Sequence, residues 1–526
     1  LFRSIKRAFM QLIRQIPHSL TLVAMLASTA YATNGVNLIG TGAISRAMGG
    51  TGVAFYSNPA EAISKNPALM EKTKNSETIQ VDLTYFDATV KSYIADEMPL
   101  NTDQVQTGYE GTSTGHLDQS FIPRVGYVTE VDDEMNFGFG FLGIAGLGVD
   151  HIENPQLRKM KSSMMLMQIV PAFSSTVNNV HFGFAPVLGF GSLSINYDED
   201  PSKKNDKGVL FQSKRPGLFD TNIGGETLES AIGLKLGFAV DVDETFTFGG
   251  SFISPLKYEY QNIVNFEQFT LDGMMFEVNK FLENNRDPET GKIIVNETVQ
   301  GVLDTIGGIL GAATAIDAET FSTLTSSQLD AAAPTKENLD NLVLEQPWEA
   351  AFGFSYKPSK KLTMTVDVRH IAWASTEGYG DFGWQNQEVF AAGLEYRRGK
   401  IALRAGFNYA ESPLKPYEEE GDSFGINLVD IQGHQVMRGA LDMLNMVGFP
   451  AISTTHYTFG FGYDVSSKFE WNFAAVISPE AKTTRKGYYN PLGDLSLFGV
   501  TTSPLNYEYT TTMVQNSYTI NMMYHF

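Results

Sequence analysis

The chain has 526 residues, with 38 Lys and Arg against 59 Asp and Glu and a net charge of −21, so it lacks the basic face that nucleic acid would need. It contains no cysteine, which excludes disulfide frameworks, thiolate metal sites and cysteine nucleophiles. Aromatic residues make up 12 %, yet mean hydropathy is −0.13: too polar for a helical membrane protein, but consistent with a transmembrane barrel, where half of every strand faces the lumen.

Residues 1–32 read as a secretory signal peptide. Arg3, Lys6, Arg7 and Arg14 form a basic start, Leu20 to Ala27 an apolar centre too short to span a bilayer, and Ala30-Tyr31-Ala32 a small-residue site with cleavage expected after Ala32. The next stretch, residues 33–75, has a different character. It is rich in Gly and small residues, keeps neither helical nor strand period, and carries Asn58-Pro59-Ala60 and Asn66-Pro67-Ala68 as expected rigid turns. Gly40, Gly42, Gly49, Gly50 and Gly52 suit compact, irregular backbone lying close to a surrounding wall. A phosphate loop would need Lys-Ser/Thr after the last Gly, and Thr51-Gly52-Val53 has none.

The run from Ala43 to Ala54, with Asn66 to Met70, resembles the N-terminal hatch of the FadL/TodX family of outer-membrane transporters for hydrophobic compounds. Leu403-Arg404-Ala405-Gly406-Phe407, Ser412-Pro413 and Trp348-Glu349 are similar to the family as well. The resemblance implies a plug whose motif here is Gly49, Gly50, Gly52, Asn66, Pro67 and Ala68, inside a barrel that releases its substrate sideways.

From Glu77 onward the period becomes two. Ile79, Val81, Leu83 and Tyr85 alternate with Gln80, Asp82 and Thr84, and the same pattern recurs at Phe137/Phe139/Phe141, Phe182/Phe184, Ile232 to Phe238, Phe352/Phe354/Tyr356, Leu362 to Val368, Ile401 to Tyr409 and Phe469/Trp471/Phe473. With weaker runs and the terminal strand Tyr518 to Phe526, about fourteen strands are expected over residues 76–526. The fold expected is therefore all-β, a transmembrane antiparallel barrel plugged by its N-terminal segment. Connections alternate between short polar turns and long segments, notably 198–229, 261–346 and 411–454, as periplasmic turns and extracellular loops would. The terminal strand is expected to close onto the first, because backbone groups cannot be left unpaired in lipid.

Two of the long loops carry apolar residues. Leu210, Phe211, Leu218 and Phe219 in one, and Met274, Met275, Phe276, Phe281, Leu303, Ile306 and Leu310 in the other, form a candidate extracellular groove for a greasy ligand. A small core internal to the loops would account for the same residues. Strand three runs into Gly143, Gly146 and Gly148, where a bulge or kink is expected; in the FadL family the inward kink of this strand opens a lateral gap. Strand parity turns Arg124, Lys235, Arg369 and Arg404 inward with Asp82, Asp367 and Glu395. Most should pair with one another or with the hatch, and one or two could receive a substrate carboxylate.

Catalytic chemistry finds no support. The eight His residues are scattered without an HExxH or an i, i+4 pair, and Asp198-Glu199-Asp200 lacks the Gly and terminal Glu of a calcium loop. No metal, cofactor or catalytic residue is expected. The reading is a monomer in the bacterial outer membrane, in contact with lipid and lipopolysaccharide, that takes up hydrophobic small molecules passively. Rival readings are a structural or adhesive barrel and a polar-solute porin.

Overall fold

The computed structural model describes residues 33–73, 77–96, 109–112, 119–151, 160–196, 227–264, 286–287, 290–295, 340–415, 417–418, 428–489 and 505–526. The expected signal peptide and every residue of the candidate extracellular groove lie outside them. A single closed wall of fourteen antiparallel strands accounts for most of the described chain. Its strands are β1 (Glu77–Asp96), β2 (Gln119–Asp132), β3 (Met135–Asp150), β4 (Lys161–Val177), β5 (Val180–Asn196), β6 (Thr227–Asp241) and β7 (Phe246–Ile253). They continue as β8 (Glu349–Ser359), β9 (Leu362–Ile371), β10 (Gln387–Arg398), β11 (Ile401–Tyr409), β12 (Thr455–Asp464), β13 (Phe469–Tyr489) and β14 (Leu505–His525).

Neighbours in sequence are neighbours in space, and β14 closes onto β1 from Thr78↔His525 to Asp96↔Tyr507. No wall strand is left with a free edge over its whole length, as the absence of water in the bilayer demands. The expected alternation holds: Ile232, Phe352 and Ile520 point outward with 82 %, 67 % and 50 % of their surface exposed, while Lys235, Ser355 and Asn521 are buried. Short turns join the strands at one end. Asn178, with φ 58°, and Gly399, with φ 60°, supply the left-handed residues that two of these turns require.

β1, β13 and β14 are 20, 21 and 21 residues long, about twice what a tilted strand needs to cross a bilayer. Their outer halves therefore stand above the membrane and line a mouth. The inward face changes character along them. On β14 it runs Asn521, Thr519, Ser517, Gln515, then Met513, Thr511, Tyr509 and Tyr507; on β1 it runs Gln80, Asp82, Thr84, then Phe86, Ala88, Val90, Ser92 and Ile94, all buried, with Thr511 and Ser92 the polar exceptions in the outer stretch. The change comes earlier on β1 than on β14, since Phe86 and Ala88 are register partners of Ser517 and Gln515, and both faces are mainly apolar from the Met513↔Val90 pair outward.

Residues 34–70 lie inside the ring and are buried throughout, except for the partly exposed Tyr56 and Lys65. The segment is less irregular than its composition implies. Each Asn-Pro pair begins a helix: Asn58 caps α1 (Pro59–Lys65) by accepting from the Glu61 amide at 2.8 Å, and Asn66 caps a 3-10 turn (Pro67–Lys72) by accepting from the Ala68 amide at 3.2 Å. The expected rigid turns are thus helix starts. Both Asn residues are extended, as the following Pro dictates, and Pro in the first turn loses no hydrogen bond.

Candidate functional site

The site is organised by a defect in the wall. β2 and β3 pair from Asp132↔Met135 up to Arg124↔Leu142, and there the ladder stops. Beyond it, Gln119 to Pro123 of β2 pair with β1, and Gly143 to Asp150 of β3 pair with β4. Three local features produce the seam. The β3–β4 register jumps between Gly143 and Ala145, so Ile144 is the extra residue of a bulge, which bends the strand. Pro123, opposite the break, has no amide to donate. Arg124 donates from Nε to the Gly143 carbonyl at 2.9 Å and from Nη1 to Thr84 Oγ1 at 3.0 Å, so a side chain serves the carbonyl that the ladder abandons.

Of the glycines expected to bend this strand, Gly143 borders the bulge, while Gly146 and Gly148 follow it. None has positive φ, so the bend rests on the inserted residue and not on left-handed backbone. Gly143 matters for space, since a Cβ there would come within 2.5 Å of Ile122 Cγ2.

The start of the internal segment takes the place that β2 vacates. Asn37 pairs with Ala145, and the Gly146 amide donates to the Val36 carbonyl at 3.2 Å. Asn37 is held in turn by its Nδ2, which donates to Glu349 Oε1 at 2.7 Å, and Glu349 accepts from Arg369 Nη1 at 3.0 Å. A cavity of about 60 Å³ opens between this hairpin and the wall, lined by Asn37, Gly143, Ile144, Gln168, Lys235 and Arg369. A second, of about 20 Å³, lies against Gly50, Val53, Asp367 and Asn408. These volumes suit water, and a hydrocarbon chain would need several times more.

The inward charges divide by partner. Arg404 pairs with Glu395 at 2.7 Å and donates to Asn472 at 2.8 Å. Arg369 pairs with Glu349, and Arg124 serves the seam. Asp367 accepts from the amides of Gly52 and Val53 at 2.7 and 3.0 Å, fixing the Gly-rich turn to β9. Lys235 differs from these. It is 2 % exposed, lines the larger cavity, and has no hydrogen bond or ion pair to any described residue. In the internal segment, Arg46 is fully buried and donates from Nη1 to the Gly40 carbonyl at 3.3 Å and from Nη2 to Ser517 of β14.

Of the residues expected to form a hatch motif, Gly49, Asn66, Pro67 and Ala68 pack on the wall, while Gly50 and Gly52 pack within the internal segment, Gly52 reaching β9 through its amide. Gly49 and Gly50, at φ 72° and 81°, turn the chain against β10 and β11, and a Cβ on Gly49 would lie 2.4 Å from the Phe407 carbonyl oxygen. Gly52 faces Glu61, where a Cβ would come within 2.8 Å of its carboxylate. Asn66 donates to the carbonyls of Val53 and Phe238 at 2.6 and 2.9 Å, and Pro67-Ala68 packs directly on the backbone of Gly183. At the far end Glu71 accepts from Asn136, Ser174 and Thr176 at 2.9, 2.5 and 2.8 Å, and Lys72 binds Asp241 and Thr247.

Above this level the lumen is filled by apolar side chains that the sequence reading assigned to no site. Trp373, Tyr379 and Trp384 meet edge-to-face or tilted with centroids 4.8–5.1 Å apart; Tyr258 and Tyr260 of a ribbon (Leu256–Val264 with Asp340–Gln346) lie over β5; and Met443, Met446 and Phe449 complete the packing. Their signal was present as aromatic and Met residues in loop-length segments, but without a period nothing placed them inside the barrel.

An apolar outer belt, a closed even-stranded wall and a filled lumen define a bacterial outer-membrane β-barrel. The sequence profile described as "Outer membrane protein transport protein (OMPP1/FadL/TodX)" matches residues 21–420, and the chain belongs to that family. Among solved structures it is similar to a Pseudomonas aeruginosa FadL homologue, with 12 % identity, TM-score 0.55 and coverage of 94 % of this chain and 100 % of the other. It is also similar to the Ralstonia pickettii toluene transporter TbuX (15 %, TM-score 0.50, 93 % and 98 %) and the Pseudomonas putida toluene transporter TodX (15 %, TM-score 0.50, 93 % and 99 %). No curated protein matches the chain.

Proposed function

We propose that this outer-membrane barrel takes up hydrophobic small molecules passively, through an apolar mouth, a pocket beside the N-terminal hairpin, and sideways release at the β2–β3 seam. One observation carries the reading: the apolar outer lumen leads to the stretch of wall where backbone pairing ends and where the start of the internal segment is seated. A greasy solute gains most by leaving for lipid, and a seam offers it that route. The two cavities are too small for such a solute, so the hairpin at residues 33–38 has to move for it to pass. Residues 33–73 then act as a hatch, and the closed wall leaves each copy able to work as a monomer.

Lys235 would receive a carboxylate in the pocket, which favours amphiphiles with an anionic head over plain hydrocarbons. Two structures of similar fold are of toluene transporters, so aromatic solutes are the comparison class. A polar-solute porin is disfavoured by the filled lumen.

Deleting Ile144 removes the bulge and should let β3 pair regularly. Accumulation of labelled palmitate and labelled toluene in cells with equal surface amounts of each barrel should fall at least tenfold, while binding to purified protein persists. Unchanged uptake by a folded deletion variant would rule out release at this seam. Mass spectrometry of apolar compounds that co-purify with the detergent-extracted barrel would name the substrate class.

A further inference from the structure

The loop between β11 and β12 enters the mouth. After a hairpin (Leu428–Ile431 with His434–Met437), the chain forms α2 (Arg438–Met443) and a wide helical turn (Leu444–Gly448), then reaches β12 through tight turns at Phe449–Ile452. Leu441, Met443, Met446, Val447 and Ile452 are buried in the apolar cluster, each at most 2 % exposed, although loops of such length ordinarily lie over the surface.

Its fastenings differ from one end to the other. At α2, Asp442 is fully buried and accepts from Arg485 Nη1 at 2.5 Å and from Tyr507 OH at 2.8 Å, an ion pair shielded from water and directed at β13 and β14. Beyond α2 the bonds are between neutral groups. Thr511 donates to the Met446 carbonyl, Ser162 of β4 to the Gly448 carbonyl, and Ser453 to Gln515 at 2.5 Å, while Asn445 joins Trp384 at 3.0 Å and the Phe382 carbonyl at 2.8 Å.

From this asymmetry we propose that residues 438–453 are an extracellular gate, separate from the N-terminal hatch, pivoting on the Asp442–Arg485 pair and displaced at its Met446–Phe449 end by the apolar solute itself. The gate rests on the uptake reading above. A hydrocarbon that takes the place of Met446 and Val447 exchanges one apolar contact for another, so with the solute present opening costs the neutral hydrogen bonds of this end but little apolar contact. A polar solute or ion offers no such exchange and leaves the cluster closed. The ion pair keeps its strength in the dry mouth and brings the segment back.

The absence of cysteine allows a clean test in the full chain. Ser162→Cys with Gly448→Cys, oxidised, would replace the hydrogen bond between them by a covalent fastening of the displaceable end to β4. Uptake of labelled palmitate or toluene should drop at least tenfold and return on reduction; oxidised barrel transporting within twofold of reduced barrel would overturn the gate. A second arm needs no substrate. Met513→Cys lies deeper on β14 than the Thr511 contact and is 3 % exposed, so an impermeant maleimide should label it slowly from outside. Adding Asp442→Asn should speed labelling about tenfold, and the apolar pair Asp442→Leu with Arg485→Met should slow it again, since a packed apolar pair can replace a buried ion pair. Labelling indifferent to all three in folded barrels refutes the pivot. If the parent takes up neither probe, the uptake reading fails, and the labelling arm still decides whether the segment gates the mouth.

Discussion

Gly406 is one of the points where the internal segment packs directly on the backbone of the wall. A Cβ there would lie 2.1 Å from the Gly49 nitrogen and 2.3 Å from the Met48 carbonyl carbon, so Gly406→Ala requires backbone to move. Three hydrogen bonds depend on that approach: Gly49 amide to Thr458 Oγ1 at 2.9 Å, Thr458 hydroxyl to the Ala47 carbonyl at 2.9 Å, and Asn408 Nδ2 to the Gly49 carbonyl at 3.0 Å. At about 1 kcal/mol each, their loss removes about 3 kcal/mol from the attachment, which raises the local open population roughly 100-fold. The wall should survive, because the β10–β11 and β11–β12 ladders do not use the Gly406 side-chain position. Hydrogen–deuterium exchange of the peptide covering residues 44–52 in detergent would read the change. Exchange within threefold of the parent, in a variant that keeps its heat-modifiable gel mobility, would refute the claim that this contact seats the segment.

Glu71→Ala removes the acceptor of three hydrogen bonds at the far end of the segment and should lower the unfolding midpoint in urea by an amount corresponding to about 2 kcal/mol; a shift below about 0.5 kcal/mol would show that this end is not anchored there. Lys235→Met removes a buried cation that makes no hydrogen bond or ion pair with a described residue, with Glu349 and Glu61 acting on it only through space, so stability should change little while affinity for palmitate falls about tenfold and that for toluene stays put. Equal losses for both ligands would deny Lys235 a role at a carboxylate. Phe352→Arg places a charge on the lipid face and should destabilise the barrel by about 2–4 kcal/mol in lipid vesicles, whereas a soluble-facing position would tolerate it.

The barrel could be read from the chain because its physics is local and periodic. Val81 and Leu83 turn outward and Asp82 and Thr84 inward for the same reason that any strand alternates, and lipid outside makes the period hydrophobic. The position of the wall defect was also legible in part: the Gly-rich run marked the right strand, but not Ile144 as its inserted residue or Arg124 as the side chain that serves Gly143. Both depend on register between strands, which no single strand encodes. The Asn-Pro pairs were read as turns because the helices they begin are too short to show a period.

By itself the sequence determined the strand number, the inward and outward faces and the alternation of short and long connections, since each follows from patterning along the chain. Only the tertiary structure decided what meets inside the wall. That Asn37 sits against Ala145, that Glu349 joins it to Arg369, and that Asp442 meets Arg485 across the mouth are contacts between residues far apart in sequence. Closing the ring sets these distances, and a closed ring brings opposite strands together only after every register around it has been fixed.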